Sequence, residues 1–299
     1  MNYVLHLLIF ASMYVILALS LDLVMGYMGR FNLGHAAFVA VGGYTYALVT
    51  VALGWGFIPA LVVAVGVAVM LSPLLSLPAW RFKGDLFIML TLVVQTLVFG
   101  VIHNWGEPGQ PVGSWRNFTN GPFGIAKIPK PDILGISLDT MGSMAVFSLI
   151  VAGVCALIVF RLTHSPWGRL LKCARDDELA LRGLGKDVRR LKVQAFAFSC
   201  ALAAVGGVIY ASYVSYIDPK AASLDASILL LCMLCVGGMG NFRGPVIGAL
   251  VLVLIPEVLR LTPMPSAIAA NVRLLAYGLL LVVVVHVRPQ GIAGEYRIE

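Results

Sequence analysis

Residues 3–34 read YVLHLLIFASMYVILALSLDLVMGYMGRFNLG, an apolar run that becomes glycine-rich and polar at its end. The part from 3 to 28 is long enough to cross a bilayer, which takes roughly 20 apolar residues in a helix. Its one acidic residue is Asp22, and Gly26, Gly29 and Gly34 interrupt the apolar pattern before the next run begins. The stretch therefore predicts a transmembrane helix that ends in a glycine-broken segment.

The rest of the chain follows the same pattern. Of its 299 residues 60% are apolar and 12% are charged, and the mean hydropathy is +0.94. Soluble domains do not have such values, so we predict a single all-α polytopic membrane domain over residues 1–299. It is expected to have about nine transmembrane helices, with eight or ten as alternatives. The apolar spans are 3–28, 34–53, 57–80, 84–103, 141–161, 191–214, 226–240, 244–260 and 271–287.

The basic residues divide unequally if successive loops alternate between the two faces of the membrane. One set of loops has fifteen Lys and Arg residues, nine of them from Arg161 to Lys192, and the other set has six. Cytoplasmic loops retain Lys and Arg, so the richer set is predicted to face the cytoplasm. The N-terminus then lies outside and the C-terminus inside. Residues 104–140 become an outer loop whose glycine and proline content predicts turns.

The segment from 162 to 190 is the largest predicted cytoplasmic loop, and residues 165–192 hold 12 of the chain's 35 charged side chains. Ser165 and Pro166 indicate a helix start, and Glu178 and Arg182 form a favourable i,i+4 pair. Leu170, Ala174, Leu181 and Leu184 fall near one helical face, so we expect one or two short amphipathic helices between about 166 and 184. Two interpretations remain open: a solvated loop that sets topology, or a helix that docks on another protein.

Glycines are concentrated at two places, each around a Met-Gly-x-Phe element, at Met28–Phe31 and at Met239–Phe242. Glycine-broken apolar segments occur where backbone lines a transport path, but close helix packing through small residues explains the same glycines. Neither explanation excludes the other. The candidate path residues are Asp22, Gly26, Gly29, Asn32, Gly34, His35, Gly237, Gly238, Gly240 and Asn241.

Asp22 lies one turn before Gly26, at a depth where a carboxylate costs roughly 2.5–3.5 kcal/mol on insertion scales. One hypothesis is that it is protonated, or is paired with Arg30 across the break. The alternative is that it is a buried hydrogen-bond partner between two helices.

Several collinear stretches resemble the permease subunits of bacterial branched-chain amino acid importers of the ATP-binding-cassette class, the high-affinity leucine, isoleucine and valine systems. These stretches are DLVMGYMGRFNLGHAAFVAVGGYTYAL at 22–48, RFKGDLFIMLTL at 81–92, GRLLKCARDDELALRGLGKDVRRLKVQAFAFSCALAAVGGVIYA from 168, GGMGNFRGPVIGALVLVLIPEVLR at 237–260 and RPQGI at 288–292. FTNGPFGIAKIPKP at 118–131 resembles the M-type permease of such systems, and it contains the outer-loop residues Thr119, Asn120, Gly121 and Pro122.

The resemblance implies the partners: a homologous permease, two ATPase subunits that use ATP and Mg²⁺, and a periplasmic binding protein. It places the chain in the bacterial inner membrane and makes residues 162–190 a coupling loop that docks on an ATPase. The chain itself is expected to bind no cofactor, because GLGKD at 183–187 lacks two positions of a phosphate loop. The implied coupling residues are Arg175, Asp176, Asp177, Glu178, Ala180 and Gly185, with Leu181 from the apolar face.

Other functions fit the sequence less well. A related importer for urea or short amides would have a similar permease and is the alternative. An ion-coupled carrier fits less well, because it would need more intramembrane carboxylates than Asp22 and Glu257. No catalytic triad, carboxylate pair or metal-binding histidine pair can be assembled, so an enzyme or a metal site is not expected. The net charge of +7 is spread between apolar runs and does not indicate nucleic acid binding.

Overall fold

The computed structural model describes residues 2–260 except 83, 108, 134 and 135, and beyond them residues 272, 275, 278, 279, 282, 283, 286 and 290–293. The ninth predicted span, 271–287, therefore lies largely outside the described residues. Four of the basic residues counted for orientation also lie outside the described residues, namely Lys83, Arg273, Arg288 and Arg297.

The described chain is helical, with four very short strands. The long helices are α1 (Asn2–Asp22, extended by a π-helical turn Leu23–Tyr27), α2 (His35–Val51), α3 (Phe57–Leu71), α5 (Asp85–Asn104), α6 (Met141–His164), α7 (Pro166–Asp176), α9 (Val188–Val214), α10 (Leu224–Gly237) and α11 (Arg243–Arg260). The short helices are α4 (Pro73–Ser76) and α8 (Glu178–Gly183), and 3-10 turns cover Pro78–Trp80, Gly121–Phe123 and Pro219–Ala222. The strands are β1 (Ile125–Ala126), β2 (Asp132–Ile133), β3 (Ile136–Ser137) and β4 (Tyr216–Ile217).

Each of the first eight predicted spans coincides with one of these helices or with a run of them. Among the described residues, five helices are long and apolar enough to cross a membrane, and three shorter ones, at 35–51, 224–237 and 243–255, are apolar too. The prediction of a polytopic helical membrane protein is confirmed.

The span predicted as one helix over 57–80 is divided into three pieces. The first ends at Leu71, the second begins at Pro73 and a 3-10 turn begins at Pro78. Proline has no amide hydrogen to donate to the preceding turn and its ring crowds that turn. The two prolines therefore explain why the helix does not continue to Trp80.

Helices α1, α2 and α9 form the centre of the fold, and small residues let them approach closely. A Cβ atom at Gly42 would collide with the backbone of Ala204, and one at Gly207 would collide with the Val39 carbonyl. Membrane helices associate by such close backbone packing, because apolar burial gives little advantage over lipid. Glycine at these positions is thus required for the α2–α9 contact.

The outer loop and the coupling loop lie at opposite ends of α6 and α9. At 1.5 Å per residue these helices of 24 and 27 residues are about 36 Å and 40 Å long. At the outer end β1 pairs antiparallel with β4, with Ile125 opposite Ile217, so the two loops that contain them share one face. At the other end α6 leads into α7. Two loop surfaces are therefore separated by more than the thickness of a bilayer core, which is ~30 Å.

Candidate functional site: the coupling loop and the helix breaks

The coupling loop folds as two helices, so of the one or two helices expected between about 166 and 184 the structure has two. Ser165 has the extended backbone of an N-cap and Pro166 begins α7, but the Ser165 hydroxyl donates to the Leu162 carbonyl at 2.7 Å instead of capping an amide. The helix breaks at Asp177, whose φ of −148° and ψ of 101° are extended. The Asp177 carboxylate accepts hydrogen bonds from the amides of Leu179 and Ala180 and so begins α8. Such a cap contributes about 1 kcal/mol.

The break at Asp177 changes which side chains point inward. Leu171 is buried although it was not predicted on the apolar face. Of the residues predicted there, Ala174 and Leu181 are buried and Leu170 is half-buried. Leu184, predicted on the same face, is instead 76% exposed, and Leu179 is 74% exposed. The rotation between α7 and α8 accounts for this difference, because a single helical phase no longer relates the two segments. The tip of the loop thus presents two large apolar side chains outward, next to the exposed Ala180 and Gly185.

Glu178 faces inward and joins the loop to the membrane helices. Its carboxylate lies 2.9 Å from Lys192 Nζ, 2.5 Å from Arg182 and 3.6 Å from Arg30. The Glu178 side chain is 8% exposed and that of Lys192 is 2% exposed. The predicted i,i+4 pair of Glu178 and Arg182 is therefore confirmed, while Lys192, which the sequence suggested only as a topology signal, is a buried ion-pair partner.

Arg30 lies in the break between α1 and α2, and the hypothesis that it pairs with Asp22 is wrong. Its guanidinium contacts Glu178 and donates to the Phe82 carbonyl at 3.3 Å. Burial lowers the pKa of Arg30, and the Glu178 carboxylate opposes that lowering. This contact places the break and the coupling loop on one face, as the alternation of loops predicts.

Arg175 forms the second connection between loop and break. Its guanidinium donates to the Gly26 carbonyl at 2.8 Å and contacts Asp176 at 2.9 Å. Its aliphatic part occupies the space that a Cβ atom at Gly29 would need, and Gly29 has a φ of +68°. Of the acidic residues predicted to face an ATPase, Asp176 is thus exposed, Asp177 caps α8 and Glu178 is turned inward.

The two glycine-rich breaks meet through Asp22. The Asp22 Oδ1 atom accepts a hydrogen bond from the Gly240 amide at 2.9 Å, and a Cβ atom at Gly26 would collide with both. The other carboxylate oxygen, Oδ2, is buried and has no hydrogen-bond partner among the described residues. The alternative interpretation of Asp22, as a buried hydrogen-bond partner between two segments, agrees with this geometry.

The second break is built for close packing. Gly237 contacts the backbone of Gly244 and Gly248, so α10 and α11 pack with almost no side chain between them. Gly238 and Gly240 have φ values of +104° and +77°, which L side chains rarely adopt. Residues 291–293 lie against this turn, because the Asn241 side chain and the Gly237 carbonyl bond to Ala293 at 3.3 and 2.9 Å.

The start of α2 is held by polar side chains from three other helices. Asn32 accepts from the Gly34 amide at 2.9 Å, and His35 is hydrogen-bonded to Ser20 at 2.7 Å. The next two amides, of Ala36 and Ala37, donate to Ser227 and Gln95 at 3.2 and 3.0 Å. A helix start has unpaired amides that must be satisfied away from water.

Sequence patterns did not single out Ser20, Gln95 or Ser227. For Gln95 a signal was available, because it is the one amide side chain in the mainly apolar middle of α5.

The outer-loop residues have structural roles within that loop. The Thr119 hydroxyl donates to the Ile102 carbonyl at 2.6 Å, and Asn120 donates to the Gly124 carbonyl at 2.7 Å from a left-handed backbone with φ of 62°. Gly121 and Pro122 begin the 3-10 turn that follows. These contacts fold residues 119–124 back over the end of α5.

Comparison with known proteins assigns the chain to a family. Residues 3–285 match the family model described as branched-chain amino acid transport system / permease component. The chain is 30% identical over 270 residues to the high-affinity branched-chain amino acid transport system permease protein LivM of Escherichia coli, covering 83% of this chain and 61% of that protein. It is 26% identical to the probable branched-chain amino acid transport permease protein LivM of Methanocaldococcus jannaschii, covering 97% and 92%.

A more distant match is the autoinducer 2 import system permease protein LsrC of Salmonella typhi, at 26% identity over 67% of this chain and 57% of that protein. No solved structure matches the chain. The family match over residues 3–285, together with the apolar helices, establishes an integral membrane protein that belongs to the permease components of branched-chain amino acid transport systems.

Proposed function

We propose that this chain is one permease subunit of an ATP-binding-cassette importer in a bacterial inner membrane. It pairs with a homologous permease, docks on ATPase subunits through its coupling loop and receives a branched-chain amino acid from a periplasmic binding protein. The observation that carries the proposal is the double connection between the coupling loop and the first helix break. ATP and Mg²⁺ are used by the partner, and this subunit has no catalytic role.

The tip of the coupling loop has the character of a docking surface. Leu179 and Leu184 are exposed on the face that the basic loops share, next to small residues that allow close approach. Large apolar side chains in a polar surrounding are typical of interaction sites. They supply an apolar contact for an ATPase cleft, and Asp176 supplies an exposed charge beside it.

The inner side of the loop supports transmission of movement. Arg175 of α7 donates to the Gly26 carbonyl and Glu178 of α8 pairs with Arg30, so a displacement of α7 and α8 would act on residues 26–30 directly. From there Asp22 contacts Gly240, which lies in the second break. Both breaks would therefore respond together when the ATPase closes, and they line the proposed path.

Docking is tested with Leu184→Asp in the reconstituted transporter, because an unpaired carboxylate in an apolar contact is costly to bury. We expect about tenfold less ATPase to co-purify and ATP-driven leucine uptake to fall with it. Leu53→Asp is the matched control, since Leu53 is equally apolar and 61% exposed but lies in the loop between α2 and α3. Normal ATPase recovery and uptake with Leu179→Asp and Leu184→Asp combined would rule out this surface.

The proposed orientation of the chain in the membrane is tested by labelling a native cysteine. Cys173 is the exposed cysteine of the coupling loop, and the other four cysteines are buried. An impermeant maleimide should label Cys173 in inverted vesicles stripped of peripheral proteins and leave it unlabelled in intact cells with a permeable outer membrane. Labelling in intact cells would place this loop outside and reverse the proposed topology, including the outer N-terminus.

A further inference from the structure

A partly open cavity of about 290 Å³ lies between α1, α2, α9 and α10, beside the 3-10 turn at Pro219–Ala222. Its walls are mainly apolar and include Met13, Leu17, Val39 and Leu229. Two charged side chains, Asp218 and Lys220, line it from the turn. Since β4 precedes this turn and pairs with β1 of the outer loop, the charged end of the cavity lies toward the outer face.

The two charges are available to a ligand. Asp218 occupies the N-cap position of the 3-10 turn, but its side chain caps no amide. Within the part of the chain that the structure describes, neither Asp218 nor Lys220 makes a salt bridge, with the other or with any other residue. A carboxylate and an ammonium group that are close in sequence thus stand unneutralised at the mouth of an apolar cavity.

We infer that this cavity is an acceptor site for one aliphatic α-amino acid on the outer side of the permease. Asp218 binds the α-ammonium group, Lys220 binds the α-carboxylate, and the apolar walls enclose the side chain. The inference rests on the proposed function and adds a solute site within the permease itself. The volume of about 290 Å³ is just below the ~300–1,000 Å³ of pockets for drug-sized ligands, which suits a smaller ligand such as an amino acid.

The pair of opposite charges determines what the site accepts. A zwitterion satisfies both groups, whereas an amine or an acid leaves one charge of the site unmatched, and a neutral solute such as urea leaves both. A group that a ligand leaves unmatched costs most when it is desolvated, so the half-buried Asp218 contributes more to this discrimination than the exposed Lys220. The site therefore favours amino acids over short amides.

The contacts below the cavity keep a bound solute on the outer side. Leu17 and Ala36 line the cavity, and one turn further along α1 Ser20 is bonded to His35, followed by Asp22 and its bond to Gly240. These buried layers lie between the cavity and the coupling loop. The site thus lies on the outer side of the two helix breaks.

The test is equilibrium dialysis of radiolabelled leucine against the intact transporter complex in nanodiscs, without the binding protein. We expect unlabelled leucine to compete, and isopentylamine and 4-methylpentanoate, which each lack one charged group, to compete at least about tenfold more weakly. Asp218→Asn and Lys220→Met should each weaken leucine binding about tenfold or more, and Asp218→Glu should restore part of it. The exposed outer-loop variants Asp139→Asn and Lys127→Met should bind as the wild type does.

The inference is overturned if the wild-type complex binds no leucine, if either analogue competes as well as leucine, or if both cavity variants bind within twofold of the wild type. The analogue series needs no variant, so misfolding cannot obscure the answer. Uptake driven by ATP and the binding protein is measured on the same wild-type preparation. Its absence would refute the proposed function, whereas its presence without direct leucine binding would refute the cavity site alone.

Discussion

Replacing Glu178 by glutamine removes the negative charge that at least three cations share. Lys192 is 2% exposed, and its ammonium group lies 2.9 Å from the Glu178 carboxylate. Glutamine has nearly the same shape and still offers one acceptor oxygen, so packing changes little. The variant therefore isolates the effect of the charge.

The expected magnitude follows from burial. Removing one partner of a buried ion pair costs about 3–5 kcal/mol, because the remaining charge is left uncompensated. The half-exposed pair with Arg182 adds only about 0.3–0.5 kcal/mol, and the remaining hydrogen-bond acceptor offsets part of the loss. We therefore expect about 3 kcal/mol of local destabilisation, which is a factor of roughly one hundred in a local opening equilibrium.

Hydrogen exchange of the detergent-purified complex measures this opening directly, since amides in a loosened segment exchange through local unfolding. Peptides that cover 178–192 and 26–34 should exchange roughly one hundredfold faster in Glu178→Gln. Those that cover 119–126 in the outer loop should not change. Asp176→Asn is the matched control, because it removes the same charge from an exposed side chain of the same loop.

A second variant tests the cause. If the cost comes from the buried ammonium group that has lost this carboxylate, Glu178→Gln with Lys192→Met should exchange more slowly than Glu178→Gln alone, because both charges of the pair are then gone. Exchange within about twofold of wild type in the single variant, where a hundredfold is expected, would refute the argument from a buried charge. So would a double variant that is worse than the single one.

Gly26→Ala should destabilise the purified protein by about 1–3 kcal/mol, because the new Cβ atom would collide with Asp22 and the Gly240 amide. The loss is measured as a lower thermal midpoint. Gly66→Ala is the control and should be tolerated, because no atom lies within 4 Å of the added Cβ atom. Asp22→Asn keeps an acceptor for the Gly240 amide and should stay within about 1 kcal/mol of the wild-type stability. Asp22→Leu leaves that amide unsatisfied and should cost about 1–3 kcal/mol. Equal thermal midpoints of the two variants would contradict the role of Asp22 as a hydrogen-bond acceptor. Gln95→Leu should cost at least as much, because Gln95 also donates to the Ala222 and Ser223 carbonyls at 2.6 and 2.9 Å, and the exposed Thr96→Val is its control.

Local sequence patterns predicted the helices well. The first eight apolar spans all became helices or runs of helices, and the breaks appear where glycines or prolines interrupt the apolar pattern. The pair of Glu178 and Arg182 was predictable for the same reason, since i,i+4 neighbours lie on one face of any helix. These features depend on residues close together in the chain.

Contacts between distant residues were not predictable in this way. Asp22 and Arg30 were paired in one hypothesis because they are near in sequence, but their partners in the structure are Gly240 and Glu178. A carboxylate at membrane depth indicates that some partner exists, and its identity depends on which helices become neighbours. The inward orientation of Glu178 likewise depends on the break at Asp177.

The sequence by itself determined that this is a polytopic helical membrane protein, where its helices are interrupted, and which loops share a face, because apolar run length, glycine and proline positions and basic residues act locally. The tertiary structure alone decided that the two breaks meet at Asp22, that Lys192 is buried against Glu178 and that Asp218 and Lys220 border an apolar cavity. Such pairings depend on packing among several helices, and no periodicity along one helix specifies its neighbour.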